Sequence, residues 1–217
     1  VMTKSGYFKK LSVQAVRAAD EHKVKEGDFV IYEEDTDNRG DVLFFTDKGQ
    51  IYRAKVDDFE LTKASQMGEY VPTKLSMDDD EHVVSCKMIY ELNPAHHMVY
   101  IFENGKGVRI SVANYEITGN RRKITSAYSK NSPVVAAFYE KSPMEIMITS
   151  SDGRAILIKS SLIPIMATRT SGGVTLMSMK KGVKVISATN DPTKIPEDAK
   201  GLKKIKIPTT GVLLDKK

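Results

Sequence analysis

An all-β fold of repeated small sheets is what this chain predicts, on three observations. Its apolar runs are short, β-branched or aromatic, and bounded by turn residues. Four of them end in a polar turn with glycine, after which the chain resumes with basic and aliphatic residues. These copies recur at similar spacing: TKSGYFKKL (Thr3 to Leu11), TDKGQIYRAKV (Thr46 to Val56), FENGKGVRISV (Phe102 to Val112) and SSDGRAILIKS (Ser150 to Ser160). The turn glycines Gly6, Gly49, Gly105 and Gly153 are 43, 56 and 48 residues apart. Such a period implies one supersecondary unit per repeat, here a small antiparallel sheet of propeller-blade type.

The elements follow in order. After the first hairpin, Ser12 to Lys23 has a passable helical pattern, and by propensity it reads as a short helix. Inside an all-β repeat it is expected as an excursion between strands with one helical turn. Strands are expected at Val42–Phe45, Val83–Ile89, Met98–Phe102, Val134–Phe138 and Ile146–Ile148. Polar stretches at Lys25–Asp28, Gln66–Glu69 and Thr118–Arg121 each supply a glycine where a strand ends or turns. This amounts to about four strands per repeat and about four to five blades. The regular repeat favours a single domain over residues 1–217. The stretch 189–217 forms a basic tail carrying Pro192, Pro196 and Pro208. Within it, Thr209–Val212 reads either as a worn fifth hairpin or as a strand closing a ring against the N-terminal blade.

Composition narrows the class. Charged residues make up 28% and apolar ones 41%, ordinary values for a soluble globular protein. Cys86 is the single cysteine, which excludes an intrachain disulfide and suits a reducing, cytoplasmic compartment. No apolar stretch reaches the length of a membrane helix, so no membrane partner is expected. Beginning at Val1-Met2 and entering a hairpin at once, the chain is expected to be a piece of a longer protein. Net charge is +5 but unevenly spread: residues 20–40 sum to −5 and 57–81 to −6, whereas 101–130 sum to +4 and 150–184 to +5. Such segregation suits a polyanion on one face. Solvated faces of opposite sign explain it equally well.

Motifs for catalysis or metal binding are weak. His96-His97 follow Asn93-Pro94, a turn context, and adjacent histidines on a strand face opposite ways, so a loop pair is expected rather than a metal site. Cys86 reads as a buried small hydrophobe. The run Asp78 to Glu81 lacks the glycine and terminal ligand of a calcium loop and reads as a loop before the strand at Val83. Gly172-Gly173 has no following Gly-Lys-Ser/Thr, so it is no phosphate loop. Met177 and Met179 alternate as core residues of a strand would. An all-β hydrolase would need a nucleophile and base that the sequence does not display.

In its opening MTKSGYFKKLSV, in Lys25 to Tyr70 and in Arg169-Thr170-Ser171-Gly172-Gly173-Val174, the chain resembles the C-terminal domain of the A subunit of bacterial type IIA DNA topoisomerases. The topoisomerase IV form of that domain is the closer likeness and the DNA gyrase form the more distant. The resemblance runs from Met2 to about Ala188. It implies a β-pinwheel, a propeller-like disc whose blades exchange strands, with double-stranded DNA bent around a basic rim without sequence preference. It also implies partners: a cleavage domain N-terminal in the same chain and the ATPase B subunit. No cofactor is implied for this domain, ATP and Mg acting elsewhere in the parent enzyme. None of the nine tyrosines sits in the Arg-Tyr context of a cleavage residue, so this part is expected to bind DNA and not to cut it. Gyrase carries a box of glutamine, arginines, glycines and lysine after the first hairpin. Here Ala15 to Asp28 has Arg17 but no Gly-Gly-Lys, which implies bending without a full positive wrap.

The cation four residues after the turn glycine recurs as Lys10, Arg53 and Arg109, with Leu157 in the fourth copy. Expected DNA contacts are Lys4, Lys9, Lys10, Arg17, Lys48, Arg53, Lys55, Lys106, Arg109, Arg121, Arg122, Lys123, Arg154 and Lys159. Arg169, Lys180 and Lys181 are secondary candidates. A propeller that scaffolds protein partners is the rival reading, weakened by the absence of Trp-Asp repeats and of any tryptophan.

Overall fold

Each repeat is nucleated by the same turn. In all four copies the glycine amide donates to the carbonyl three residues back: Gly6 to Thr3, Gly49 to Thr46, Gly105 to Phe102 and Gly153 to Ser150, at 3.0–3.2 Å. All four glycines have φ between +68° and +95°, a region that L side chains rarely enter. A turn closed by a left-handed residue is the common three-residue hairpin solution, and it sets the register of the two flanking strands.

The computed structural model describes residues 1–117 and 122–214. In chain order its elements are β1 (Met2–Thr3), β2 (Tyr7–Phe8), α1 (Val13–Arg17), β3 (Val30–Tyr32), β4 (Asp41–Thr46), β5 (Ile51–Lys55), β6 (Glu69–Tyr70), α2 (Val71–Lys74) and β7 (Val83–Ile89). Then follow β8 (His97–Phe102), β9 (Lys106–Ser111), β10 (Lys123–Ile124), β11 (Val134–Glu140), β12 (Glu145–Ser150) and β13 (Arg154–Lys159). The last are β14 (Ile165–Met166), β15 (Val174–Thr175), β16 (Val185–Thr189), β17 (Lys203–Lys204) and β18 (Val212–Leu213). The expected strands are all present. The Ser12–Lys23 excursion holds the single helical turn α1, capped where the Ser12 hydroxyl accepts from the Ala15 amide.

The strands form four sheets, ordered β3-β1-β2-β6, β10-β5-β4-β7, β11-β8-β9-β14 and β16-β12-β13-β17, with β15 also on β9 and β18 also on β13. The expected all-β fold is therefore what the chain adopts, with four sheets among the described residues where about four to five were expected. One rule generates the first three sheets. A hairpin supplies two strands, a later strand flanks the first of them, and the edge of the second is covered by chain that has already made the next hairpin. Thus β6 follows the second hairpin and covers the first, while β10 follows the third and covers the second. This is strand exchange between blades. Not every pairing is antiparallel, because β14 on β9 and β17 on β13 run parallel.

The chain divides into two compact units, Val1–Glu91 with Ile117–Thr125, and Leu92–Glu116 with Ser126–Lys217. The first unit packs its two sheets around Phe8, Phe44 and Phe59, whose rings lie 4.5–6.0 Å apart. Each such buried side chain contributes about 1.5–3 kcal/mol. In the second unit, Val99 and Ile101 meet Ile146, Ile148, Ile156 and Ile158 in one apolar interior. Beside them, the Tyr100 and Tyr115 hydroxyls share a hydrogen bond of 3.0 Å and Tyr100 stacks on Tyr128.

The tail departs from both expectations. Val212–Leu213 makes neither a fifth hairpin nor a strand against the N-terminal sheet; it pairs antiparallel with β13. Among the described residues, that edge is covered by the tail. Ala199 and Leu202 are buried there against Ala155 and Leu157.

Gly172-Gly173 also finds its reason here. A Cβ on Gly173 would stand 2.0 Å from the Gly107 carbonyl oxygen, and its φ is +71°, so glycine alone lets β15 lie on β9. Gly173→Ala is expected to cost about 3 kcal/mol or more in urea unfolding. Gly182→Ala, with φ +83° and open space around it, is expected to cost only about 1–2 kcal/mol.

Candidate nucleic-acid interface

The cation four residues after each turn glycine sits within the sheet and is consumed there. Arg53 on β5 reaches diagonally to Asp41 on β4, its Nε donating to Oδ2 at 2.7 Å with a second guanidinium nitrogen on the same oxygen. Arg109 on β9 is 11% exposed and donates to Glu140 on β11 at 2.5 Å, and to the Ile163 carbonyl at 3.3 Å. Lys10 lies 3.9 Å from Asp57. In the fourth sheet the equivalent Leu157 is buried and its amide donates to the Leu202 carbonyl. The recurrence thus marks a scaffolding position, filled by an ion pair in three copies and by an aliphatic contact in the fourth. The expectation that these cations face a polyanion is corrected for Arg109 and weakened for Lys10 and Arg53.

Lys9 is corrected outright. It is fully buried, with its ammonium donating to the carbonyls of Lys23 at 2.5 Å and Ala64 at 3.1 Å. Burial, and secondarily Lys23, lower its pKa from the usual lysine value. Lys9 ties the excursion after hairpin one and the loop after hairpin two to β2. Reversing it would break the fold rather than report on a surface.

The other candidates divide by exposure. Lys48 donates to the Asp79 carbonyl, Arg154 to the Gly211 carbonyl at 2.8 Å, and Arg169 to the Asn114 carbonyl at 3.3 Å. Lys123 is held by Asp78 at 3.0 Å and lies over the Tyr52 ring, and these contacts raise its pKa against the lowering effect of burial. Arg122 is 71% exposed, with Asp58 at 3.6 Å, a pair worth little in water. Lys4, Arg17, Lys55, Lys159, Lys180 and Lys181 are exposed, and Lys106 half-buried, with no ion pair among the described residues. Arg121 lies outside the described residues. Sequence reasoning passed over Lys130 and Lys141, which are also exposed. Both stand beside β11 rather than in a hairpin, so the repeat gave no signal for them.

Two acidic or basic motifs also turn out differently. Glu81 lies in the expected loop before β7 but is buried there, accepting from the Thr46 hydroxyl, Gln50 at 2.8 Å, Tyr52 at 2.8 Å and the Asp78 amide at 3.0 Å. It organises the second hairpin from inside. His97 is no loop histidine, because it opens β8 with its Nδ1 3.4 Å from the Glu140 carboxylate, while His96 meets the Tyr139 hydroxyl at 2.9 Å. No group of three or more metal-ligating side chains occurs among the described residues. Cys86 is buried as expected, and desolvation pushes its thiol up to about 12. No described helix is long and apolar enough to cross a membrane.

Charge separates by unit as well as by segment. The first unit carries 16 Lys and Arg against 19 Asp and Glu, a net of −3; the second carries 17 against 9, a net of +8. The model of the DNA gyrase C-terminal domain, a β-propeller, matches residues 1–20, 40–89 and 145–190, more than half of the chain. The chain belongs to this family. Among curated relatives, the A subunit of DNA topoisomerase 4 from Staphylococcus aureus strain MRSA252 is 21% identical over 174 residues, 79% of this chain. That match covers only 22% of the relative's length, so the chain spans about a fifth of it. Among solved structures, a DNA topoisomerase IV C-terminal domain superposes with a TM-score of 0.75 at 20% identity, over 89% of this chain and 61% of that one. The E. coli ParC C-terminal domain gives 0.61 at 13% identity, over 87% and 76%. The family and its propeller fold agree with the likeness drawn from the hairpin sequences.

The His97 triad gives a test of this interior. Burial first, and the neighbouring Arg109 guanidinium second, lower the His97 pKa from its usual value, outweighing the pull of Glu140. The unfolded chain therefore binds the proton more readily. Stability is full above the unfolded value near 6.5, and it falls as pH drops from there through the lower folded value. Urea unfolding of the protein is expected to show that loss, and His97→Gln to flatten it.

Proposed function

We propose that this domain binds double-stranded DNA without sequence preference and bends it, the second unit providing most of the contact. The observation that carries the reading is the +8 balance of that unit, with Lys106, Lys159, Lys180 and Lys181 accessible on it and free of ion pairs among the described residues. Phosphate contacts of this kind give affinity but carry no base information. Each neutralised phosphate contributes about −0.9 to the slope of log affinity against log salt. Bending a site of 20–30 base pairs costs on the order of 1–6 kcal/mol, so several cations must act together.

Membership of the family supports a place for the domain within the A subunit of a type II topoisomerase. In that setting it would hand DNA segments to a strand-passage core built from an N-terminal cleavage domain and an ATPase B subunit. ATP and Mg²⁺ would then be used by those other parts, and strand cleavage would lie outside this stretch. Without a Gly-Gly-Lys box in Ala15 to Asp28, where α1 and its loop are clipped down by Lys9, the DNA would be bent rather than tightly wrapped.

A salt-titrated gel shift on linear duplexes of unrelated sequence tests this. Retention that fades with salt and ignores sequence is expected. Changing Lys106, Lys159, Lys180 and Lys181 to Glu should weaken binding at least about tenfold and flatten the salt slope by about 0.9 for every phosphate no longer neutralised. Changing Lys4, Arg17 and Lys55 in the first unit should do less. Equal effects would overturn the assignment to the second unit, and no retention at low salt would overturn DNA binding itself.

A further inference from the structure

The first unit holds a cleft of about 400 Å³ that DNA binding does not use. Its size falls within the roughly 300–1,000 Å³ of ligand-binding clefts. The floor is apolar, made by Phe8, Val42 and Met88 of the sheet interiors. On one side stand two large apolar side chains left in water, Val13 at 57% and Leu61 at 67% exposure. Facing solvent in this way costs them the stabilisation that burial would give.

The rest of the rim is acidic. Residues Glu33 to Asp37 contribute four carboxylates to the lining. Two of these are already neutralised, Glu34 by Lys87 and Asp37 by Arg39. The other two are less so: Glu33 has His22 at 3.8 Å and feels the Val1 ammonium, and Asp35 is exposed with no ion pair among the described residues. The cations of the lining are spent, Lys10 near Asp57, Lys9 on two carbonyls and the Val1 ammonium on the Lys9 carbonyl at 3.0 Å. An apolar floor under an unbalanced acidic rim is complementary to one kind of ligand: a segment that alternates aliphatic and cationic side chains. It is unfavourable to DNA, whose phosphates would meet Glu33 and Asp35.

We infer that this cleft is a docking site for a basic, aliphatic peptide segment of a partner protein. Aliphatic side chains of the segment fill the cleft against Val13 and Leu61, and a lysine or arginine pairs with Glu33 and Asp35. The inference is independent of DNA binding, since it concerns the unit whose charge is −3.

Fluorescence anisotropy with a short labelled peptide alternating leucine and lysine tests it on the whole chain. Saturable binding is expected, unchanged by excess duplex DNA. The conservative double variant Glu33→Gln with Asp35→Asn, on exposed positions that leave the fold intact, should weaken it about fivefold to tenfold. Leu61→Asp should weaken it at least about tenfold. Three results would overturn the inference: equal binding of a leucine–glutamate peptide, equal binding of a lysine-only peptide, or variants that bind as the parent does. Self-association abolished by Leu61→Asp in sedimentation would also overturn it, by assigning the cleft to a second copy.

Discussion

Every sheet in this chain depends on a strand that arrives late. An open edge is a liability because its amides and carbonyls invite pairing with another chain. Here the second strand of each of the first three hairpins stays open until the chain has built the next hairpin and returned. β6, β10 and β14 with β15 close the first three sheets in this way, and β17 with β18 closes the fourth. No repeat is complete by itself, which couples the stability of each sheet to its successor's chain. On the fourth sheet the proline-containing tail takes this place, with Ala199 and Leu202 buried against Ala155 and Leu157 of β13.

Strand exchange also explains which cations are free. A charge on a strand that will be covered must be paired, because an unpaired buried charge costs several kcal/mol. Arg109 lies on such a strand, between β8 and β14, and it is matched to Glu140, which is 2% exposed. Arg53 on β5, between β4 and β10, is matched to Asp41. Cations at the ends of strands, such as Lys55 and Lys159, escape this requirement and remain in water. The surface charge a polyanion would meet is therefore set by position along the strand, and the repeat spacing alone does not determine it.

This is where reading the sequence succeeded and where it stopped. The hairpins were legible because a left-handed glycine and flanking β-branched runs are local signals, and the four turns do share one hydrogen bond. The family was legible from the same stretches. The partners of Arg53, Arg109 and Lys9 were not, because Asp41, Glu140 and the Ala64 carbonyl lie 12, 31 and 55 residues away and carry no mark of pairing. The burial of Glu81 was hidden for the same reason: within a run of four acids, one is buried and held by Thr46, Gln50 and Tyr52, which lie 35, 31 and 29 residues away. Local pattern reports turns and strands. Burial is decided by pairing across the chain.

The two units then divide the chemistry. A net of −3 beside a net of +8 would be wasteful if the whole surface served a polyanion, since acids in reach of the phosphates would repel them. The acids of the first unit are instead concentrated in loops after hairpins one and two. Some are consumed internally, as Glu81 and Asp41 are, and some by neighbours, as Glu34 and Asp37 are. What is left over, Glu33 and Asp35, stands where Val13 and Leu61 are also uncovered. Two independent shortfalls, unburied aliphatic surface and unbalanced negative charge, meet at one place. A single ligand with both a cationic and an aliphatic character removes both, whereas DNA removes neither.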